Sequence, residues 1–338
     1  MLELEHFIRG IPKAELHMHI EGSIEPDTMF ALAERNGMTL KWASPEALEA
    51  AFEFDDLQSF LDIYFEGCKV LVTRQDFYDV TKAYLRKAHE DNVVRAEMFL
   101  GPQSFTQRTS IGDIMEGVLS AIDDAKGELG IDGGFIVSTH RHRTEADAFE
   151  LLESVMPWKD RIVAIGMGGP EVPSPPSKFI NFFRECKNRG LRTSIHAGEE
   201  GPADYVRQAF DDLKVDRIDH GNACLDDADL TARLAESQIT LTVCPVSNLK
   251  LKVVDRLEDH PLRRLMDAGL KVTINSDDPP YFKAYVSENY IQCQKALGLS
   301  RDDIIQLAKN SLTGSFASPE QIKSYLSRVD NYCCLHAG

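Results

Sequence analysis

The chain has 338 residues, with 37 Lys and Arg against 54 Asp and Glu, a net charge of −17. With 43% hydrophobic and 27% charged residues, it has the composition of a soluble globular protein, neither disordered nor fibrous. The acidic field disfavours nucleic acid and anionic membrane surfaces as partners, and the length suits either two modest domains or one α/β barrel with an addition, since a plain barrel takes about 250 residues. The N-terminal stretch MLELEHFIRGIPKAELHMH lacks the basic-then-apolar build of a secretory signal. No run approaches the roughly 18 consecutive apolar residues of a membrane span, so a cytoplasmic location is expected.

Short apolar or β-branched runs alternate with longer segments of helical period. Strands are expected at 13–19, 93–100, 133–140, 162–167, 191–197, 217–221, 240–245 and 271–277. Amphipathic helices fall between them, among others at 111–129, 178–189, 202–213, 226–237 and 261–268. Such alternation implies parallel strands with right-handed crossovers, and eight units close most simply into a (β/α)₈ TIM barrel. A doubly wound open sheet is the competing fold, and it usually carries a Gly-rich phosphate turn after its first strand, which is missing here.

The stretch 20–92 is too long for one crossover. It holds helical segments at 26–36, 45–52, 57–67 and 73–90, read as an insertion after the first strand that forms a lid over the strands' C-terminal ends. The whole of 1–338 is thus expected to be a single barrel domain with a helical lid. Phe54, Leu57, Phe60, Leu61, Tyr64 and Phe65 form an apolar stripe in it, whose default is lid core with one or two residues over a ligand. The end, 301–338, reads as closing helices and a tail in which Cys333 and Cys334 have no assigned role. The seven cysteines are odd in number and include no CxxC, so they suggest neither a disulfide framework nor a thiolate zinc cluster. Cys244 reads as a small buried residue. A metal would be held by His and carboxylate.

Catalytic groups of such barrels sit at the C-terminal ends of several strands. His17 and His19 end the first strand with both imidazoles on one face; alone, that spacing fits either two ligands of one metal or two satisfied polar residues. His196 ends the fifth strand, His220 the sixth and Asp277 the eighth, and their convergence favours the metal. Glu199 and Asp278 lie beside them on the strand-to-helix loops. His140 and His142 form a second HxH, but Arg141 and Arg143 flank it with positive charge that opposes another cation. They are read as polar residues of the mouth.

Five motifs carry a resemblance: HMHIEG, SIHAGEEG, RIDHG, VCPVSN and INSDDPPYF. In this order they resemble the adenosine/adenine deaminase branch of the amidohydrolase superfamily, over residues 11–312. The resemblance implies that His17, His19, His196 and Asp277 hold one zinc ion. It also implies that Glu199 is the proton donor, that His220 assists the attacking water, and that Asp278 meets the purine ring. Two-metal amidohydrolases carry a bridging carboxylated Lys at the end of the fourth strand, where this chain has Met167, Gly168 and Gly169; one metal is therefore expected. The activity implied is hydrolysis of a cyclic amidine C–N bond in a small-molecule purine base.

Glu21 stands where adenosine deaminases place an Asp that contacts ribose, and its extra methylene argues for the free base. The HAGEEGP, PSPPSKF and SDDPPYF segments likewise resemble the adenine deaminase type. The GMGG run, with Gly169 at the purine's N3/N9 edge in the family, departs from that type. Adenine leads, with N6-substituted adenines (methyl- or isopentenyl-adenine) or adenosine as alternatives, since rejecting one alkyl group is worth only about 1–3 kcal/mol. A metal hydrolase of another class and a non-catalytic purine-binding protein are the rival readings, and assembly as a homo-oligomer stays open.

Overall fold

The computed structural model describes residues 2–336, so the last two positions of the expected tail lie outside the described residues. Eight parallel strands form two four-stranded halves: β1 (Lys13–His19), β2 (Val93–Leu100), β3 (Asp132–His140) and β4 (Ile162–Gly168), then β5 (Ser194–Ala197), β6 (Arg217–His220), β7 (Thr240–Val243) and β8 (Lys271–Ile274). The halves join through the bridges Ile165–Thr193 and Met18–Asp277. Asp277 N–H donates to the His17 carbonyl at 3.0 Å and His19 N–H to the Asp277 carbonyl at 2.9 Å. The chain is a (β/α)₈ barrel.

The period-2 pattern of each strand sorts its residues. Ala14, Leu16 and Met18 of β1 and Val94, Ala96 and Met98 of β2 face the helices and are buried in the main core. The alternate positions face the barrel axis and are mostly polar: Glu15 and His17, Arg95 and Glu97, Ser194 and His196, Arg217 and Asp219. A small apolar plug of Phe99, Ile136 and Ala164 interrupts them. Near the N-terminal end, Glu97 accepts from Arg95 Nε at 2.8 Å, Arg217 Nη1 at 2.5 Å and the Phe316 N–H at 2.6 Å. Such a buried ionic plug specifies arrangement more than it adds stability, given its desolvation cost.

A first helix, α1 (Leu2–Gly10), precedes β1, and four helices lie between β1 and β2: α2 (Pro26–Arg35), α3 (Pro45–Ala50), α4 (Leu57–Cys68) and α5 (Arg74–Glu90). Their starts follow from local chemistry. Proline stands in the first turn of α2 and α3, and capping boxes Asp56/Ser59 and Thr73/Asp76 open α4 and α5. Then come α6 (Ile111–Leu129), α7 (Glu145–Val155), α8 (Ile180–Asn188), α9 (Ala203–Arg207), α10 (Ala228–Ser237), α11 (Pro245–Lys250) and α12 (Leu262–Asp267). Four more close the chain: α13 (Pro279–Phe282), α14 (Val286–Leu297), α15 (Arg301–Thr313) and α16 (Pro319–Leu335).

Four strands are shorter than the sequence pattern implies, β6 by the single residue Gly221. β5 starts at Ser194, β7 stops at Val243 because Pro245 opens α11, and β8 stops at Ile274. Among the described residues no helix is long and apolar enough to cross a membrane, and all seven cysteines are free.

Candidate active site

His17, His19 and His196 share the inward register of β1 and β5, and Asp277 continues the inward parity of β8 beyond its last paired residue. Asp277 adopts a left-handed backbone, φ 64°, which a non-glycine residue rarely takes outside functional or strained sites. His17 Nε2 and His19 Nε2 lie 3.1 and 3.2 Å from His196 Nε2, and Asp277 Oδ1 lies 3.7 and 3.4 Å from the first two.

Hydrogen bonds do not account for this crowding. His17 Nδ1 faces the carbonyl and hydroxyl oxygens of Thr242, each at 3.1 Å, which puts its proton there and leaves Nε2 a bare lone pair. His196 Nδ1 points at the Asp219 carboxylate, 3.3 Å away, so its Nε2 is a lone pair too. Two lone pairs at 3.1 Å repel unless a cation lies between them. The spacings match the edges of a ligand shell with metal–ligand distances of about 2.0–2.2 Å, so the four residues fit one metal ion. Burial lowers His17 and brings His19 down to about 3, keeping both imidazoles in the neutral, ligating form.

Neighbouring groups fix these ligands. Ser247 donates to Asp277 Oδ2 at 2.7 Å, leaving Oδ1 toward the imidazoles. Asp219 accepts from Ser194 Oγ at 2.7 Å on both oxygens and from Thr242 Oγ1 at 3.0 Å, and so orients His196. Asp219→Asn is expected to weaken divalent-cation affinity by about 10- to 100-fold, measured by chelator competition. Unchanged affinity would remove Asp219 from that role.

By parity with Ile218, His220 belongs on the outward face. Its φ of 64°, followed by Gly221 at 79°, turns the ring inward, 4.7 Å from the His17 ring and 5.2 Å from the His196 ring. His220 Nε2 lies 3.4 Å from Glu199 Oε2. Burial, then the like charge of Asp277 and Glu171, raises the Glu199 carboxyl well above its ordinary range; burial and Asp277 do the same to Asp278. Burial holds His220 low and neutral. Cys244 also approaches His17 and Asp277, and burial raises its thiol.

These groups open onto a cavity of about 670 Å³ including its mouth, lined by His19, Glu21, Gly169, His196, Glu199, His220, Asp277 and Asp278. Glu21 Oε1 accepts the Gly101 N–H at 2.9 Å, while its buried Oε2 has no partner. Gly22 is required by close approach, since a Cβ there would lie 1.6 Å from Asp278 Oδ1. Eight of the nine site residues expected from the sequence thus line one cavity, with His17 set against His196.

The sequence model of the adenosine deaminase family matches residues 12–332. An adenine deaminase of Rhodopseudomonas palustris is 58% identical over 338 residues, covering all of this chain and 98% of its own. The chain belongs to the adenosine deaminase family. Among solved structures, it resembles adenine deaminase from Arthrobacter aurescens, with a TM-score of 0.94 and 43% identity over 96% of this chain and all of that one. An amidohydrolase from Burkhoderia ambifaria, solved with bound Zn, has a TM-score of 0.92 and 28% identity over all of this chain and 95% of that one.

In this family member the mouth holds residues the sequence reading passed over. Glu171, on the loop after β4, accepts the N–H groups of Gly198, Glu199 and Gly201 at 3.1, 3.1 and 2.8 Å, so one buried carboxylate shapes the loop that carries Glu199. Arg141, read from the sequence only as a positive charge flanking His140, is fully buried and donates to the His196 carbonyl at 2.6 Å. Asn248 donates to Glu199 Oε1 at 3.0 Å. Their partners come from distant segments and leave no local pattern. His140 lines the cavity, while His142 is exposed. The apolar stripe departs from the expectation: Leu57, Phe60, Leu61, Tyr64 and Phe65 all line the cavity, and Phe54 alone packs behind, against Phe60 and Phe282.

Proposed function

We propose that this chain is an adenine deaminase, a zinc-dependent hydrolase that converts adenine and water to hypoxanthine and ammonia in purine salvage. The observation that carries the reading is the placing of Glu199: a carboxyl that opens onto the cavity, 3.4 Å from His220 Nε2 and beside a three-His, one-Asp ligand set, with its pKa raised by burial and the like charge of Asp277. The full-length relatives named adenine deaminase support adenine over its N6-substituted or ribosylated forms.

His17, His19, His196 and Asp277 would hold one zinc ion per chain; the end of β4 offers no bridging ligand for a second. When bound, zinc supplies Lewis acidity and a water acidified to a pKa of about 7. Glu199 gives its proton to purine N1, which lets the ring take up electrons as C6 becomes tetrahedral. His220, neutral and within reach of Glu199, takes or orients the proton of the attacking water. Asp278 shares a proton with N7. Collapse at C6 then breaks the C–N bond as the amino group takes up the proton removed from the attacking water and leaves as ammonia, while the proton left on the C6 hydroxyl returns to Glu199. Glu21 and the Gly169 backbone bound the N3/N9 edge, and the helices between β1 and β2 act as a lid that excludes bulk water. The reaction is assigned to the cytoplasm, on a free small-molecule base.

The test is a rate comparison of the zinc-loaded protein on adenine, adenosine and N6-methyl- and N6-isopentenyl-adenine. Adenine is expected to turn over fastest, with loss of its ultraviolet absorbance matched by ammonia release. Inertness toward every aminopurine, with zinc intact, would point to a hydrolase of another class.

A further inference from the structure

Behind Glu199 a line of hydrogen bonds runs back to the start of α12. The Leu262 N–H donates to His260 Nδ1 at 3.1 Å. A peptide nitrogen only donates, so His260 Nδ1 is a lone pair and its ring proton sits on Nε2. Burial keeps this imidazole neutral, pushed down to about 3. Nε2–H then faces Asn248 Oδ1 at 3.1 Å, which decides an amide orientation that shape alone leaves open. The same Oδ1 accepts from Asn222 Nδ2 at 2.7 Å. The other end of the amide, Nδ2, therefore points at Glu199 Oε1, 3.0 Å away. His260, Asn222 and Asn248 are all buried.

A carboxylic acid whose Oε1 already accepts a hydrogen bond carries its own proton on the other oxygen. That oxygen, Oε2, is the one 3.4 Å from His220 Nε2. We infer that Asn248 and His260 are positioning residues that set the proton of Glu199 on Oε2, the oxygen on the His220 side, from which it would pass to purine N1. The inference rests on the proposed deamination and adds the device that orients its acid. Glu171 holds the backbone of the Glu199 loop while Asn248 fixes the end of the side chain. A reversed amide would present Oδ1 to Oε1, and the proton would turn away from the ring to satisfy it.

The experiment compares full-length, zinc-loaded Asn248→Asp, Asn248→Ala and His260→Phe with the unchanged protein, measuring kcat and KM on adenine together with zinc content. Asn248→Asp has the shape of Asn but offers Oε1 only an acceptor. Its kcat is expected to fall by about 10²-fold or more, with KM and zinc content unchanged, and to fall further than in Asn248→Ala. A merely structural role gives the opposite order, because the isosteric variant would then keep more activity than the truncated one; that order overturns the inference. His260→Phe keeps the ring and removes the Nε2–H, so it serves if the Asn248 variants do not fold. A lower kcat at unchanged KM is expected, and an unchanged kcat overturns the link to His260. The unchanged protein is run first: if it leaves adenine intact, the function itself fails, whereas turnover with the wrong order of variants sinks only the positioning role.

Discussion

Glu199→Gln is expected to lower kcat on adenine by about 10²-fold or more while leaving zinc content and hypoxanthine affinity unchanged. Gln keeps the size of the side chain and can still donate a hydrogen bond, but it has no acidic proton to give to N1. The backbone of the loop is held by Glu171 through three N–H groups, so the substitution leaves the loop in place. None of the four proposed metal ligands depends on Glu199 for orientation. Three of them, His17, His196 and Asp277, are fixed by Thr242, Asp219 and Ser247. The sign of the pH effect follows from the direction of the shift. Burial and neighbouring acids raise the Glu199 carboxyl, so its active acid form persists above the ordinary range for Glu, and kcat declines on the alkaline side as that proton is lost. Steady-state kinetics with metal analysis checks the prediction, and a variant as fast as the unchanged protein would remove Glu199 from proton transfer.

Much of this site is legible in the sequence because barrel strands impose a simple parity. His17, His19 and His196 follow the inward alternation of their strands, and eight alternating units leave little choice of closed fold. His220 and Asp277 are a different matter. Parity sends His220 outward with Ile218, and only its left-handed backbone brings it to the mouth; the following Gly221 is the sole local hint. Asp277 lies past the paired part of β8, yet its main chain closes the barrel onto His17 and His19.

The supporting residues are harder to read. Glu171, Asp219, Asn248 and His260 act through partners brought together only by folding, and each taken alone looks like an ordinary polar residue of a loop or strand. Asp219 sits inside the RIDHG motif, but its work on His196 depends on β5 and β6 being neighbours. The apolar stripe of α4 shows the converse error. Helical periodicity says that Leu57, Phe60 and Leu61 are covered, not that the space they cover is a ligand cavity.

The identity of residue 21 is where substrate choice is expected to respond most. Glu21→Asp should raise the ratio of kcat/KM for adenosine over adenine by about 10- to 200-fold, the range that one methylene commands in a close-fitting pocket. Glu21 is 2% exposed and lines the cavity with Gly168, Gly169 and His140. One oxygen is anchored on the Gly101 N–H at 2.9 Å and the other is buried without a partner. Burial, which raises this carboxyl to about 7, makes the unpartnered oxygen costly unless a ligand group meets it. The N9–H of a free base is such a group, whereas a nucleoside carries ribose there and meets the same oxygen as an obstacle. Shortening the side chain withdraws the carboxyl toward the main chain, which weakens its hold on adenine and clears space for the sugar, so both effects move the ratio the same way. Parallel steady-state measurements on the two substrates decide it. Equal losses on both would leave the ratio where it was and shift the discrimination from Glu21 to the apolar wall of α4.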